Sequence, residues 1–261
     1  MTTATALGAE TLLTAHKRFA LAGVNLSCID RAAAIDALFA LVAARAGGYI
    51  TITDAHGIVA AQADARLREI IGGARRALPD GMPSVWLGRL KGYPMSRVAG
   101  SDFIREVLGD PRARTVRHYF YGGDPQQARH IVEQVEQRLG RGAIAGWYAP
   151  PFREAGAPED QAAIDRIAAA APDVIWVGLG GPKQDYWMAN HSRFFPHAVM
   201  IGIGAALGVY AGLQTRAPRW MQSAGLEWLF RLAQEPQRLW PRYRRVVPGM
   251  LRIMIAEAMH R

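Results

Sequence analysis

The side chain best suited to move a proton is Asp80, set in Leu78-Pro79-Asp80-Gly81-Met82-Pro83, where apolar residues and a turn hem in a carboxylate. Withdrawing water from a carboxyl favours its neutral form and raises its pKa, which suits a general base acting on a hydroxyl. The same residues also spell an ordinary Asp-Gly turn, and both readings stand. Thr53, Asp54 and His56 come at the end of an apolar run. Polar groups just beyond a strand face a ligand crevice, although a lone histidine there serves structure equally well. Gln184, in Pro182-Lys183-Gln184-Asp185, falls in the first turn of a helix, where its amide either binds a ligand or caps. Asp102, in Gly100-Ser101-Asp102-Phe103, reads both as a site carboxylate and as a helix N-cap.

Several chemistries are excluded by what these residues lack. No Asp-x-Asp occurs, so a nucleotide-sugar site built around Mg²⁺ on that motif is disfavoured, and we expect neither metal nor cofactor. There is no GxxxxGK[ST], and no GxGxxG with an acidic residue at the right distance. The single cysteine, Cys28, excludes an intramolecular disulfide and a CxxC site. Charge developing on a leaving group would therefore have to be met by arginines, lysines and backbone dipoles. Glycine turns such as Gly122-Gly123 and Gly178-x-Gly180-Gly181 point N–H groups at whatever docks after a strand, and this suggests a phosphate or nucleotide.

The elements that would carry these groups follow a repeating pattern: a short β-branched or aromatic run, a glycine turn, then an amphipathic stretch. Strands are predicted at Tyr49–Thr53, Thr115–Tyr121, Ala143–Trp147, Asp173–Val177 and Val199–Ile203. Helices are predicted around Ile58–Leu67, over Pro125–Leu139 behind an Asp124 cap, and from Pro182 onward. This alternation predicts an α/β fold, a mostly parallel Rossmann-like sheet flanked by helices, with ligands at the C-terminal ends of its strands.

The 261 residues carry 31 Lys+Arg against 22 Asp+Glu, a net charge of +9. From Arg216 to the end, nine arginines face three glutamates, a net +6, so most of the excess sits in the last sixth of the chain. Trp220, Trp228, Trp240 and Tyr243 interleave with these arginines, and Pro218, Pro236, Pro241 and Pro248 punctuate the segment. We therefore divide the chain into an α/β catalytic domain, 1–215, and a helical Arg/Trp-rich appendage, 216–261. Such an appendage is either a solvated amphipathic hairpin or a surface for anionic membrane, where each basic group adds about 1 kcal/mol. Nucleic acid is not the expected partner, since no nucleic-acid module is recognisable. Phe194–Leu213 is apolar enough to need a membrane check, but Pro196 and its glycines favour a buried strand, a turn and a short helix. Met1–Val24 places Glu10, His16, Lys17 and Arg18 where a secretory signal needs an unbroken apolar run, so a cytoplasmic protein is expected.

Six ordered blocks in this chain resemble the WecG/TagA/CpsF glycosyltransferases of bacterial surface-polysaccharide synthesis. They are Thr53-Asp54-Ala55-His56; Leu78 through Trp86; Arg97-Val98-Ala99-Gly100-Ser101-Asp102; Gly146 through Phe152; Gly178 through Asp185; and Arg216 through Tyr243, which includes Gly225-Leu226-Glu227-Trp228. The resemblance implies an inverting, metal-independent enzyme at the inner face of the plasma membrane. It would move a hexose or N-acetylhexosamine from a UDP-sugar donor to a polyprenyl-diphosphate-linked saccharide, for exopolysaccharide or surface-glycan assembly. It makes Asp80 the base and places Thr53, His56, Asp102, Gln184 and Glu227 at the substrates. Tyr148 falls in a stretch linked to the nucleotide, and Arg231, Arg238 and Arg242 in the appendage that completes the site. The chain carries Gly208 where the family usually has Asp, Asp54 where Asn is common and Asp185 where Glu is common. The alternative expectation is a non-catalytic nucleotide- or polyanion-binding module. A homo-oligomer is left open.

Overall fold

Parallel strands need crossover connections long enough for a helix, and the observed chain supplies one between almost every pair of neighbours. The computed structural model describes residues 16–150 and 161–259. A hairpin of β1 (Arg18–Leu21) and β2 (Val24–Ser27) comes first. The sheet strands are β3 (Gly48–Asp54), β4 (Arg76–Asp80), β5 (His118–Gly122), β6 (Ile144–Tyr148), β7 (Val174–Gly178) and β8 (Val199–Gly202). They form one six-stranded sheet in the order β4-β3-β8-β7-β5-β6, with every pairing parallel.

The helices are α1 (Arg31–Ala43), α2 (Ala55–Ala63), α3 (Ala65–Gly73), α4 (Met82–Leu90), α5 (Gly100–Val107), α6 (Pro125–Leu139), α7 (Gln161–Ala170) and α8 (Lys183–His191), then α9 (Ala206–Tyr210), α10 (Arg219–Ser223), α11 (Glu227–Gln234) and α12 (Pro236–Met259). They cover both faces of the sheet, so its central strands are buried along nearly their whole length. Leu38, Phe103, Ile131 and Trp176 pack in one core; Ile164, Ile167, Ile175 and Met188 pack in another. A third core joins the hairpin to α2, α3 and α12 through Phe19, Leu26, Ile58, Leu67, Met250 and Ile253.

Two local expectations are corrected, and one element comes without a sequence expectation. The segment around Asp80, read as a turn, is edge strand β4, and only Gly81 turns, at φ +154°. Proline is disfavoured within a strand because it cannot donate to the ladder, but Pro79 lies on the sheet's edge, where a missing donor is tolerated. The single helix expected at Ile58–Leu67 is two helices, because Asp64 is extended and its carboxylate caps α3 at Leu67 N–H. The β1–β2 hairpin, not foreseen, turns through Ala22 and Gly23, both at positive φ. Elsewhere Asp124 caps α6 by accepting from Gln126 and Gln127, and Phe194–Leu213 holds β8, a turn and α9. Among the described residues no helix is long and apolar enough to cross a membrane. Residues 1–15 of the Met1–Val24 segment, and Pro151-Phe152 of the fourth resembling block, lie outside the described residues.

The C-terminal segment is anchored to the sheet-bearing body. Leu239, Val246, Met250 and Ile253 of α12 are buried. Gly249 lies so close to α2 that a Cβ there would come 2.8 Å from the Val59 side chain. Pro241 and Pro248 within α12 remove two backbone donors from its hydrogen-bond ladder.

Candidate active site

The C-terminal ends of β3, β4, β7 and β8 open into a cavity of about 530 Å³, closed on its far side by α11 and the start of α12. Strand register sets Asp54 directly beside Asp80 at the ends of β3 and β4. Asp54 accepts from Gly57 N–H as the cap of α2 and from Arg242 Nη2 at 2.9 Å. Val98 N–H donates to the Pro79 carbonyl, and this contact lays the loop before α5 along β4 and brings Arg97 beside Asp80.

From there a chain of ion pairs runs across the cavity wall. Arg97 Nε donates to Asp80 Oδ1 at 3.1 Å, and its Nη2 donates to Glu227 Oε2 at 2.6 Å. Glu227 Oε1 lies 3.5 Å from Arg216 Nε, and Arg216 grips both oxygens of Asp102, one of them at 2.9 Å. Arg31 and Arg105 also face Asp102, at 3.6 and 3.5 Å. Asp102 thus sits in the first turn of α5 as an arginine receptor, and the cap position belongs to Ala99.

These neighbours set protonation. Burial raises the Asp80 pKa; the Asp54 and Glu227 carboxylates add to the rise, while Arg97 opposes it. Its side chain still keeps 26% of its surface open to the cavity. Burial works against the Arg97 charge, but Asp80 and Glu227 outweigh it and raise its pKa. Burial also pushes Asp185 up to about 7, with Asp54 contributing. At Asp102 the hydrogen bonds and charge of Arg216 overcome burial and lower the pKa.

Thr53, Asp80, Gln184, Glu227, Arg231, Arg238 and Arg242 all line this cavity, together with the glycine turn Leu179-Gly180-Gly181 ahead of α8. Gln184 is buried, and its Oε1 has no hydrogen-bond partner. Thr53 donates its hydroxyl hydrogen to Thr51 Oγ1. Arg238 pairs with Glu235. Asp102 stays behind the wall, reaching the cavity only through Arg216. His56 faces a second cavity, and burial together with the Arg242 charge lowers its pKa against the opposing pull of Asp54. Tyr148 stands on the opposite edge strand, outside the lining of both cavities, with Arg166 over its ring at 4.8 Å. At Gly208 the missing side chain leaves room for Gln214, which lines the cavity and would lie 3.1 Å from an added Cβ.

Arg97 and Arg216 hold the wall together, yet no residue-level signal marked them. Each sits in an irregular segment with no periodicity, and only its place within a resembling block set it apart. The second cavity, of about 440 Å³, adjoins the first and shares Asp54, Asp80, Arg97, Glu227, Arg231 and Tyr243 with it; its remaining lining is largely apolar. Among the described residues no group of three or more His, Cys, Asp or Glu is arranged to hold a metal ion.

Residues 19–261 match the model of the glycosyl transferase WecG/TagA/CpsF family. Two curated proteins are similar to this chain, both named N-acetylglucosaminyldiphosphoundecaprenol N-acetyl-beta-D-mannosaminyltransferase. The one from Bacillus subtilis (strain 168) is 32% identical over 198 residues, 75% of each chain. The one from Bacillus spizizenii (strain ATCC 23059 / NRRL B-14472 / W23) is 31% identical over 174 residues, 66% of each chain.

Proposed function

The chain belongs to the WecG/TagA/CpsF glycosyltransferase family, and on that premise we propose that it transfers a hexose or N-acetylhexosamine from a UDP-sugar to a polyprenyl-diphosphate-linked saccharide, with inversion and without a metal. One observation carries the reading: Asp80 stands where a polar cavity walled by arginines meets an apolar one. Asp80 takes the proton of the acceptor hydroxyl, whose oxygen bonds to C1 of the donor sugar from the face opposite the leaving group. The C1–O bond to the diphosphate breaks, and UDP departs with the electron pair. Arg231, Arg238, Arg242 and the N-terminus of α8 oppose the charge that grows on the diphosphate, the role a cation plays in metal-dependent enzymes. The relatives' named acceptor, a lipid-linked diphosphate sugar, supports the acceptor class.

We place the enzyme peripherally on the inner face of the plasma membrane, with the exposed Trp220 and Trp240 and the neighbouring arginines against anionic lipid. The deciding experiment incubates the protein with a panel of UDP-sugars and a prenyl-diphosphate-linked N-acetylglucosamine, then weighs the products. One donor should add one sugar mass to the acceptor. If no donor in the panel supported turnover, and the folded protein gave no heat with millimolar UDP, the non-catalytic module would be favoured, for which Gly208 is the one supporting departure.

A further inference from the structure

Beyond the groups it shares with the polar cavity, and His56, the second cavity contains little that a sugar or nucleotide would recognise. Met82, Pro83, Trp86, Leu226, Val246 and Met254 line it, contributed by α4, the loop before α11 and α12. Apart from His56, its charged and hydroxyl-bearing lining groups, Asp54, Asp80, Arg97, Glu227, Arg231 and Tyr243, are those shared with the polar cavity, and they mark its inner end. At its outer end Trp86 and Leu251 line the cavity while remaining 42% and 53% exposed. One helical turn further along, on the same faces of α4 and α12, stand the exposed Leu90 and Ile255. The cavity therefore runs from the carboxylate to an apolar patch on the outside of the molecule, flanked by the cationic helix α12.

We propose that this cavity binds the first isoprenyl units of the lipid acceptor, entering between α4 and α12, with the acceptor's diphosphate at Arg231 and its sugar hydroxyl at Asp80. The assignment rests on the transfer reaction proposed above and deepens it. Three features select a prenyl diphosphate over other occupants. An apolar channel needs an apolar chain, the Arg231 guanidinium at its inner end suits an anion joined to that chain while Arg97 is already paired with Asp80 and Glu227, and its continuity with Asp80 needs the far end of the same molecule to react. A chain held there withdraws its carbons from water, and each buried methylene strengthens binding about fourfold. Prenyl length should then matter even where no bilayer is present.

The test uses N-acetylglucosamine diphosphates bearing C5 or C15 prenyl chains, in detergent solution without vesicles, so that membrane attachment plays no part. For the full chain the apparent KM should fall at least about tenfold from C5 to C15, and Met254→Trp, which fills the cavity, should flatten that dependence. An equally steep dependence in both proteins would place the chain elsewhere and overturn the proposal. Should Met254→Trp fold poorly by circular dichroism, Val247→Phe obstructs the same cavity from about two turns earlier in α12. An independent readout is photolabelling of the wild-type protein with a benzophenone-bearing farnesyl diphosphate, mapped by mass spectrometry. Label on α4 and α12 supports the cavity, and label confined to other surfaces removes it. Label on α4 and α12 in a protein that transfers no sugar would leave the prenyl site standing and sink the transferase reading alone.

Discussion

Burial and Arg97 pull the Asp80 carboxyl in opposite directions, and burial prevails, so the group keeps its proton to a higher pH than a free carboxylate. A base must be ionised to work; activity should therefore rise with pH through the Asp80 pKa and fall away below it. Asp80→Asn keeps the shape, cannot accept the proton, and should cut kcat by about 10²-fold or more with donor affinity retained, as measured by initial rates and calorimetry with UDP. Arg97→Ala removes the charge that restrains the shift, so the acid limb of kcat/KM against pH should move upward; an unmoved limb would detach Asp80 from that limb. Asp185 makes a separate prediction. Its native pKa of about 7 lies above the ordinary value of about 3.9, so the folded state holds the proton more tightly than the unfolded chain. Its stability contribution is intact below pH 4, declines up to about pH 7 and stays low above. Asp185→Asn should accordingly melt about 3 °C or more above wild type at pH 8 and no differently near pH 4, by scanning calorimetry. Of these residues, Asp80 was legible in the sequence because apolar neighbours flank it. Asp185 was noted only as a departure from the family, since nothing in Lys183-Gln184-Asp185-Tyr186 reveals that its carboxyl is buried near Asp54.

Elements were legible where local pattern and tertiary environment agree. The strands β5, β7 and β8 are buried on both faces and read as continuous apolar or aromatic runs, which is why their positions follow from composition to within a few residues. β4 was read as a turn because Pro79 and the Asp80-Gly81 pair carry turn chemistry, and only its position at the sheet's edge reconciles proline with a strand. Pairing of distant elements has no local signature at all, and the crossing of α12 over α2 is the clearest case. Gly249 touches Val59, whose β-branched side chain has one favoured rotamer in a helix and little room to retreat. Gly249→Val should lever α12 away from α2, costing about 1–3 kcal/mol in urea unfolding. Because α11 and α12 carry Arg231, Arg238 and Arg242, the same variant should raise the KM for the lipid acceptor; an unchanged KM in a destabilised protein would show that the site tolerates a displaced α12.

At the scale of the whole molecule, charge and apolar surface are segregated together. The exposed Trp220, Trp240, Ile255 and Met259 share the C-terminal segment with the exposed Arg219, Arg244, Arg245 and Arg252. Near an acidic surface each arginine contributes about 1 kcal/mol, so four together shift partitioning by about a thousandfold at moderate salt. That attraction is screened as ionic strength rises and the Debye length falls from about 10 Å at 0.1 M toward about 3 Å at 1 M, whereas the tryptophan and methionine contribution is not. Two signatures therefore distinguish an interfacial surface from a merely solvated one. Sedimentation with vesicles rich in anionic lipid should decline steeply between 0.1 and 1 M salt, leaving a residue of binding that Trp220→Ser with Trp240→Ser abolishes. Removing the segment outright is a poorer test, because Leu239, Val246, Met250 and Ile253 are buried in the body and Glu227 holds Arg97 beside Asp80, so its loss would disturb fold and site together. The double serine variant touches only exposed rings. If it bound anionic vesicles as tightly as wild type at every salt concentration, the C-terminal surface would not be what meets the bilayer, and the lipid acceptor would have to reach Asp80 by another face.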